Sequence, residues 1–382
     1  MSCHVLYGIA GSIAAYKAPE IVRQLKKSGY SVTCILTKSA EKFVSRFTLE
    51  NVSEEKCYTD KEFWREQNIH IHLTRKSDIL LMAPVTANTV SKCAHGIADN
   101  LLLNCFLSFK GPVIMAPAMH AEMFENVAIQ DNISLLKDRG VYIAGPIEGE
   151  LLSQDLGVGR MIEPETLVEC LSVARFPALS LKNKKILISS GGTTESLDPV
   201  RVITNKSTGQ LGKALSNMAH LYSADVTMIS AGDVSSIGFK YQIEKTASGM
   251  HDALHHSIKS HDVLVMTAAI SDFIPEYSEK KIRRKDNALS VSFKASSDIL
   301  KSLSEQKKER VFIGCCLADE DTLIETAIQK CKEKNCDYII ANTASNFGNS
   351  KRDFTVVSKE KELDSYSGVS VQEMAYRILS LV

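Results

Sequence analysis

Glycine and hydroxyl side chains follow the first apolar run of the chain, in the stretch GIAGSIAAYK. Gly8, Gly11 and Ser12 would open a helix there, and such a turn can bring backbone N–H groups and a hydroxyl against a phosphate at the positive helix terminus. The pattern is not GxGxxG, and glycine turns between a strand and a helix are also needed for purely structural reasons. The turn alone leaves a phosphate site and a structural turn as equal alternatives.

Small polar residues recur after the next two apolar runs. Thr37 and Ser39 follow one of them, and the stretch APVTANT carries Ala83, Thr86 and Asn88 at the end of the other. No acidic residue closes the second run to hold an adenine ribose, which argues against a standard NAD site. The three stretches together predict a mononucleotide site.

A second group of small and amide side chains lies in the stretch DPVRVITNKSTGQLGKALSNMA, where Asn205, Ser207, Thr208, Gly209 and Gly212 follow one another closely. Helix capping would explain one Ser or Asn there but not the whole run. The NKS tripeptide also matches a glycosylation acceptor, which a chain expected in the cytoplasm would not use. This stretch predicts a second functional site.

Composition favours small molecules as partners. The 382 residues suggest two domains, and 45 basic against 45 acidic residues give no bias towards nucleic acid or an anionic membrane. No apolar run approaches the roughly 20 residues that span a bilayer, and the N-terminus lacks the features of a signal peptide, so we expect a cytoplasmic protein. The ten cysteines show no CxxC or zinc-type spacing, which predicts reduced thiols and no metal site in the protein.

Apolar runs alternate with helical patterns in two series, separated by the linker-like stretch ARFPALSLKNKK around residues 174–185. The first series is HVLYGIA, SVTCILT, DILLMAP, PVIMAPA and VYIAG, and the second is KKILISSG, ADVTMISAG, DVLVMTAA, VFIGCCLA and DYIIAN. Continuous apolar strands between helices are typical of parallel sheets covered on both faces. The sequence predicts an α/β protein of two doubly wound, Rossmann-like domains, residues 1–175 and 182–382, with ligands at the carboxyl ends of the strands.

Longer motifs carry a family resemblance. GIAGSIAAYK, NIHIHLTRKSDILLMAPVTANTVSKCAHGIADNLL and APAMHAEMFEN resemble the flavin-dependent cysteine decarboxylases. SSGGTTESLDPVRVITNKSTGQLG resembles the synthetase motif SGGTxExLDPVRxIxNxSxGxxG. Together they resemble the bifunctional family of coenzyme A biosynthesis. The resemblance implies CTP-dependent ligation of cysteine to 4′-phosphopantothenate through an acyl-cytidylate, then FMN-dependent decarboxylation of 4′-phosphopantothenoylcysteine to 4′-phosphopantetheine.

For the first domain the resemblance implies a flavodoxin-like, FMN-binding decarboxylase unit. His70 of the HIHL motif falls on the catalytic histidine; His72 is the alternative in another register, and a buried histidine at a strand start is the structural alternative. The family's carboxylate-binding asparagine is His120 in this chain, and its proton-donating cysteine aligns with Ser153. The resemblance places the flavin at Gly11, Ser12, Ser39, Ala83, Thr86 and Asn88.

For the second domain the resemblance implies that the neutral amide of Asn205 bonds the acyl phosphate and that Lys281, in EKKIRRK, neutralises developing charge. A solvated charge run is the alternative for that loop. Mg²⁺ would be held mainly by triphosphate oxygens. Cys315 stands where the family has an aromatic residue. The nucleotide-binding set implied for CTP is Ala268, Ala269, Asp272, Lys281, Ser297, Asp298, Ile299, Leu300, Cys315, Lys330 and Lys334.

Three hypotheses follow from these motifs. The chain is a two-domain enzyme with an active ligase and a weakened or altered decarboxylase, a ligase whose N-terminal FMN-binding domain is an oligomerisation scaffold without full decarboxylase turnover, or a non-catalytic flavin-binding or regulatory protein. The Asn205 and Lys281 motifs count against the third. The resemblance also implies a homo-oligomer acting on small-molecule substrates, because decarboxylases of this type form trimers or multiples of trimers and the synthetases form dimers.

Overall fold

The computed structural model describes residues 3–150, 155–283, 290–346, 349 and 351–382. Contacts within the chain define two compact units, Met1–Pro177 and Ala178–Val382. Each unit has its own parallel sheet and its own buried core.

The first unit contains a five-stranded parallel sheet in the order β2-β1-β3-β4-β5. Its strands are β1 (His4–Ile9), β2 (Ser31–Leu36), β3 (Ile79–Val85), β4 (Val113–Pro117) and β5 (Tyr142–Ile143). Almost every position of these strands is buried, as expected for a parallel sheet with helices on both faces. The strand order is that of flavodoxin-like folds, so the predicted doubly wound α/β class is confirmed for this unit.

Nine helices of the first unit's described residues connect and cover the strands: α1 (Ala18–Lys27), α2 (Arg46–Ser53), α3 (Asp60–Phe63), α4 (Ile69–Lys76), α5 (Ala87–His95), α6 (Leu101–Ser108), α7 (Ala121–Glu125), α8 (Val127–Asp138) and α9 (Pro164–Cys170). An antiparallel hairpin follows the last strand, formed by β6 (Ile147–Glu150) and β7 (Leu156–Arg160). Short 3-10 helices span Ile13–Lys17, Ala40–Lys42 and Leu171–Arg175.

The second unit contains an eight-stranded sheet in the order β12-β11-β8-β13-β16-β17-β18-β19. The first six strands are parallel, whereas β18 and β19 run antiparallel at one edge. These strands are β8 (Lys185–Ser190), β11 (Asp225–Ser230), β12 (Lys240–Ile243), β13 (Val263–Met266), β16 (Val311–Leu317), β17 (Tyr338–Asn342), β18 (Lys351–Val357) and β19 (Glu362–Ser370). The five predicted strands are confirmed, and three further strands extend the predicted sheet: the parallel β12 at one edge and the antiparallel β18 and β19 at the other.

Two small hairpins lie outside this sheet, one between β9 (Thr194–Ser196) and β10 (Val202–Thr204), the other between β14 (Phe273–Pro275) and β15 (Phe293–Ala295). The helices are α10 (Gln210–Leu221), α11 (Ala247–Ser257), α12 (Ile299–Ser304), α13 (Leu323–Glu333) and α14 (Val371–Leu379), with 3-10 helices at Ile258–Ser260, Glu320–Thr322 and Ala344–Asn346.

In the part of the chain that the structure describes, no helix is long and apolar enough to cross a membrane. Among the same residues, no group of three or more His, Cys, Asp or Glu is arranged to hold a metal ion.

Candidate functional site

The turns after β1 and β2 touch each other at the carboxyl edge of the first sheet. A Cβ atom built on Gly11 would lie 2.3 Å from the Cβ of Ser39, so only glycine fits at position 11 without moving the second turn. The hydroxyl of Ser12 accepts a hydrogen bond from the N–H of Ala14 at 3.3 Å and begins the 3-10 helix that follows. Three of the residues predicted to bind FMN, Gly11, Ser12 and Ser39, therefore lie in two polar turns that pack tightly against each other.

The end of β3 joins the same edge, because the N–H of Ala10 donates to the carbonyl of Pro84 at 3.1 Å. Thr86 caps α5 by accepting the N–H of Thr89 at 3.3 Å, and Asn88 lies exposed in the first turn of that helix. Ala83 is fully buried, so only its backbone could contact a ligand. The six predicted flavin residues thus occupy three neighbouring strand ends, five of them with some exposed surface.

His70 lies in α4, so the alternative of a histidine at a strand start is wrong. Its ring packs edge-to-face on Phe63, with 5.8 Å between the ring centroids. Its Nδ1 atom is buried and has no hydrogen-bond partner among the described residues. His72, the alternative in another register, is exposed on the same helix. An unsatisfied buried ring nitrogen is costly in a folded protein, so the Nδ1 atom of His70 needs a partner that the chain itself does not show among the described residues.

A cleft of about 540 Å³ opens between the turn after β1, the end of β4 and the β6–β7 hairpin. Its lining brings two predicted residues together, Ser12 and His120. His70 is not among the residues that line it. The complete lining is Ser12, Ile13, Ala14, Tyr16, Lys17, Ala118, Met119, His120, Glu150, Gly159, Arg160 and Met161.

The basic residues of the cleft are already paired. Lys17 Nζ lies 2.9 Å from a carboxylate oxygen of Glu163, and Arg160 Nη2 lies 2.6 Å from the other oxygen. Burial alone would raise the pKa of Glu163, but Lys17 and Arg160 outweigh it and lower that pKa. The cleft therefore presents a polar wall in which two cations share one carboxylate, so these three groups together keep one positive charge.

His120 is the last residue before α7 and faces acidic groups on two sides. Its Nδ1 contacts the carboxylate of Glu122, and its Nε2 lies 3.5 Å from Oδ2 of Asp155. Ser153, the predicted proton donor, lies outside the described residues. Strand β7, which follows it in sequence, is anchored beside His120, because the N–H of Met119 donates to the carbonyl of Gly159 at 3.1 Å.

In the second unit, Asn205 contacts the stretch that was predicted to bind cytosine and ribose. Its side-chain N–H groups donate to the carbonyls of Ala269 and Ile270, both at 3.1 Å. The backbone of Gly192 pairs with Ala269 in a parallel bridge. In this arrangement both N–H groups of the Asn205 amide are used, and only its Oδ1 atom, a hydrogen-bond acceptor, is offered to a ligand. For the amide to donate to an acyl phosphate, it must first break its hydrogen bond to the carbonyl of Ala269 or Ile270.

The carboxylate of Asp198 ties the same stretch to the loop that carries Lys281. It accepts the backbone N–H groups of Val200 and Arg201 at 2.8 Å and of Ile282 at 3.0 Å. The Arg201 side chain donates to it at 2.6 Å and also contacts the carbonyl of Ile282. Lys281 itself is exposed next to this anchor. Sequence reasoning quoted DPVR only as part of a motif and missed its role as the anchor of the lysine loop.

Two glycines at the start of α10 allow the helix to approach β8 closely. Gly209 has a φ of 69°, in the left-handed region that favours glycine, and its carbonyl accepts the Ser190 hydroxyl at 3.1 Å. A Cβ atom on Gly212 would lie 2.3 Å from Oγ of Ser190. The helix N-terminus therefore lies directly beside the carboxyl end of β8, where nucleotides bind in such folds.

The predicted CTP residues divide into two groups. Ala268, Ala269 and Asp272 follow β13, and Ser297, Asp298, Cys315, Lys330 and Lys334 also expose at least part of their surface. Ile299 and Leu300 are only 3% and 5% exposed in the apolar core. Their side chains pack in this core, so any contact of these two positions with a nucleotide would come from the backbone, and their role stays a prediction.

Asp298 and Lys334 bind each other rather than standing free. Asp298 caps α12 by accepting the N–H of Lys301 at 3.0 Å, and its carboxylate forms a 3.0 Å ion pair with Lys334. Burial would raise the pKa of Asp298, but the Lys301 N–H and the Lys334 ammonium outweigh it and lower that pKa. Lys330 lies on α13, whereas Lys334 directly follows the last residue of this helix, Glu333.

Arg352 is a cation near this edge that sequence reasoning missed. Arg352 lies at the start of β18, which runs antiparallel to β17. Ala341, near the end of β17, pairs with Thr355 of β18. Because Arg352 precedes Thr355, it lies beside the carboxyl edge of the sheet. Its Nη2 donates to Gln210, the first residue of α10, at 3.1 Å, and its buried Nε has no partner among the described residues. The basic pair at 351–352 was the only sequence signal.

Two doubly wound α/β units with glycine-rich turns at their carboxyl edges define a two-domain nucleotide-binding protein. Residues 1–175 match the family described as "Flavoprotein". Residues 181–382 match the family described as "DNA/pantothenate metabolism flavoprotein C-terminal domain".

Curated relatives cover both units. The "Coenzyme A biosynthesis bifunctional protein CoaBC" of Bacillus subtilis (strain 168) is 34% identical over 98% of this chain and 95% of its own length. The protein of the same name from Vibrio vulnificus (strain YJ016) is 35% identical over 89% of this chain and 86% of its own length. A solved structure titled "Crystal structure of the C-terminal Domain of Coenzyme A biosynthesis bifunctional protein CoaBC" is 28% identical, with a TM-score of 0.46, and covers 53% of this chain and 95% of that one. The chain belongs to the family of bifunctional coenzyme A biosynthesis proteins.

Proposed function

We propose that this chain has both activities of its family. Residues 182–382 ligate cysteine to 4′-phosphopantothenate with CTP, and residues 1–175 decarboxylate the product, 4′-phosphopantothenoylcysteine, to 4′-phosphopantetheine. The observation that carries the ligase half is the Asp198 anchor, which brings the motif around Asn205 and the loop of Lys281 to one edge of the second sheet.

In the ligase half, Asn205 and Lys281 act on the acyl phosphate. Asn205 turns its amide from the carbonyls of Ala269 and Ile270 to the acyl-cytidylate, where a neutral donor stabilises negative charge. Lys281 closes over the triphosphate as its loop moves. Mg²⁺ enters with the nucleotide and is held mainly by phosphate oxygens.

The residues of the first unit fit FMN, because the turns that carry Gly11 and Ser39 lie so close together that a side chain at position 11 would fill the space between them. Ser12, Ser39 and Thr86 supply hydroxyls for the phosphate, Asn88 supplies an amide, and Ala83 contributes backbone groups. FMN, when bound, oxidises the thiol-bearing carbon of the substrate and later returns the electrons. His70 completes this site, and His120 holds the substrate carboxylate in the cleft.

The second candidate function is a ligase with an FMN-binding scaffold. It is favoured by the two positions at which the decarboxylase motifs change, His120 and Ser153, and by the location of His70 outside the cleft lining. In this case the first unit still binds flavin but does not complete decarboxylation.

One assay separates these functions. The purified chain is incubated with 4′-phosphopantothenate, cysteine and Mg²⁺, with CTP or ATP, while pyrophosphate and CO₂ are both measured. Pyrophosphate with CTP, followed by CO₂, supports both activities; pyrophosphate without CO₂ supports the scaffold. The absence of pyrophosphate with either nucleotide contradicts the ligase assignment.

We also propose that the protein works as a homo-oligomer in the cytoplasm. Large apolar side chains are strongly exposed on the first unit, with Phe47 at 75% and Trp64 at 82%. Such side chains are typical of surfaces that pack against another subunit. Native mass spectrometry at micromolar concentration should give a multiple of the 42.1 kDa chain mass, and a monomer would contradict the proposal.

The flavin site gives a direct prediction. The purified chain should be yellow, with one FMN per N-terminal domain, and Gly11→Ala should lower flavin occupancy at least about tenfold, because a Cβ atom there clashes with Ser39 in a close-packed contact. Absorbance at flavin wavelengths against protein concentration measures occupancy. Gly232→Ala is the matched control, since a Cβ atom there meets nothing within 4 Å. A colourless chain after FMN titration, or full occupancy in Gly11→Ala, would contradict the assignment.

A further inference from the structure

The 268–272 segment, which follows β13 and holds three of the predicted nucleotide contacts, is hydrogen-bonded to the chain that follows β8. The N–H of Ala269 donates to the carbonyl of Gly191 at 2.9 Å, and the N–H of Thr193 donates to the carbonyl of Ala269 at 3.1 Å. These bonds form a parallel bridge between Gly192 and Ala269. The segment therefore continues the pairing of β13 with β8 beyond the end of the sheet.

The Thr193 hydroxyl attaches the same segment a second time. Its oxygen accepts the backbone N–H of Ser271 at 2.9 Å, and its proton is donated to Oγ of the same serine at 3.1 Å. Thr193 is fully buried and Ser271 is 6% exposed, so bulk water does not reach either bond. A valine at position 193 would keep the shape of the side chain but would leave the buried N–H of Ser271 without a partner.

Asn205 attaches the segment a third time and, unlike Thr193, is exposed. Its amide donates to the carbonyls of Ala269 and Ile270, both at 3.1 Å. The carbonyl of Ala269 also accepts the N–H of Thr193, so this carbonyl keeps a partner when the amide leaves. Ile270 is half-buried, and water can replace the amide at its carbonyl. The amide can therefore leave without stranding a buried polar group.

The proposed ligase chemistry makes two demands on this segment. The Asn205 amide must release the segment in order to donate to the acyl phosphate, yet the segment must keep its position beside the nucleotide. A misplacement of about 1 Å in such a site can lower the rate on the order of 100-fold. Bonds that do not depend on Asn205 are therefore needed, and the buried Thr193 provides them.

We propose that Thr193 is a positioning residue of the ligase, an inference that rests on the proposed function. Its hydroxyl keeps the 268–272 segment in place while the Asn205 amide leaves that segment for the acyl phosphate. Thr193 does not touch the substrate, because its side chain is fully buried. The role belongs to the hydroxyl, so serine at this position keeps the role and valine loses it.

Pyrophosphate release by the full chain tests the hydroxyl. Thr193→Val should lower kcat about tenfold, the effect of one lost hydrogen bond. Its dissociation constant for CTP, measured by calorimetry without 4′-phosphopantothenate, should change less than about threefold, because the Asn205 amide still holds the segment before the reaction. Thr193→Ser should restore kcat to within about twofold of the unmodified chain. A purely structural defect would weaken CTP binding as well.

Thr355→Val is the matched control. Thr355 is 9% exposed, and its hydroxyl lies 2.7 Å from the hydroxyl of Ser365 between β18 and β19. This control therefore also removes a Thr–Ser hydroxyl pair from the second unit, but away from the 268–272 segment. Its kcat and its affinity for CTP should equal those of the unmodified chain, and melting temperatures show whether each variant folds.

Hydrogen exchange of the Ser271 N–H, followed by NMR, gives a readout that does not depend on turnover. In Asn205→Ala this N–H should exchange as slowly as in the unmodified chain, because the Thr193 hydroxyl still accepts it. In Thr193→Val it should exchange at least about tenfold faster. The Asn205→Ala measurement tests the proposal even if Thr193→Val fails to fold.

Four results would overturn the proposal. They are an unchanged kcat in Thr193→Val, a loss of CTP affinity as large as its loss of kcat, no recovery in Thr193→Ser, and faster exchange of the Ser271 N–H in Asn205→Ala. The last result would show that the amide, and not the hydroxyl, holds the segment. If the unmodified chain releases no pyrophosphate with CTP, the proposed ligase function fails and the inference fails with it, so the two failures are distinguishable.

Discussion

Asn205→Asp should reduce CTP-dependent pyrophosphate release by at least about 100-fold, the cost of losing one donor to a developing negative charge. The amide donates to the carbonyls of Ala269 and Ile270 at 3.1 Å. A carboxylate there would face two carbonyl oxygens and would also repel the acyl phosphate. Because Asn205 is exposed, we expect the fold to persist, with a loss of stability near 1 kcal/mol.

Asn51→Asp is the matched control for this variant. Asn51 is also exposed and donates its amide to a backbone carbonyl, that of Phe47, at 2.8 Å. The control loses the same kind of hydrogen bond, but in the first unit, whereas the ligase motif lies in the second. Undiminished pyrophosphate release in Asn205→Asp, or an equal loss in Asn51→Asp, would show that the ligase site is misplaced.

Asp198→Asn should slow ligation about 100-fold, since a small misplacement of a catalytic group has effects of that size. The carboxylate holds the backbone of Ile282 at 3.0 Å and the Arg201 guanidinium at 2.6 Å, so its loss releases the loop of Lys281. Lys281→Gln should slow activation with it, and the double variant should be little worse than either one. Pyrophosphate release at saturating CTP measures all three.

Asp225→Asn is the control, because the Asp225 side chain is half-exposed and forms a 3.7 Å surface ion pair with Lys240. Surface pairs of this kind contribute little to stability. If Asp198→Asn ligates as fast as the unmodified chain, the anchor does not position Lys281. If the effects of Asp198→Asn and Lys281→Gln simply multiply, the two residues act independently.

The charge of Asp198 also sets an expectation for pH. Burial alone would raise its pKa, but the N–H groups of Ile282, Val200 and Arg201 and the Arg201 side chain hold the pKa well below its usual range. A carboxyl with a lowered pKa stabilises the fold above the unfolded-state pKa, near about 4, and that contribution is lost as pH falls below it. Stability should therefore decline less between about pH 4 and pH 2 in Asp198→Asn than in the unmodified chain.

The sequence predicted ten of the parallel strands because each is a continuous apolar run, but it missed β12, whose four residues are all exposed. It did not predict β18 and β19 as a sheet extension, since most residues of β19 are exposed and show no apolar alternation. The β14–β15 hairpin was missed for another reason. Its two strands have three residues each and their pairing joins Phe273 to Ala295, too short and too distant for a periodic signal.

The site was predictable at the level of stretches but not of side-chain directions. Ile299 and Leu300 belong to the quoted motif, yet their side chains pack in the core, because a motif does not state which way each residue points. The bond from Ile282 to Asp198 spans 84 positions, and no local pattern encodes it. His120 and Asp155 meet in the same way, across separate elements.

The contact between Gly212 and Ser190 has a consequence for recognising lost activity in this family. A Cβ atom on Gly212 would lie 2.3 Å from the serine hydroxyl, so glycine is required for the helix to pack on the sheet whether or not a nucleotide binds. A copy of this gene that had ceased to ligate would still keep the glycine under selection for folding. Motif glycines therefore show that the fold is intact. Only residues that are not needed for packing, such as the exposed Lys281, can distinguish an active enzyme from a homologue that has lost activity.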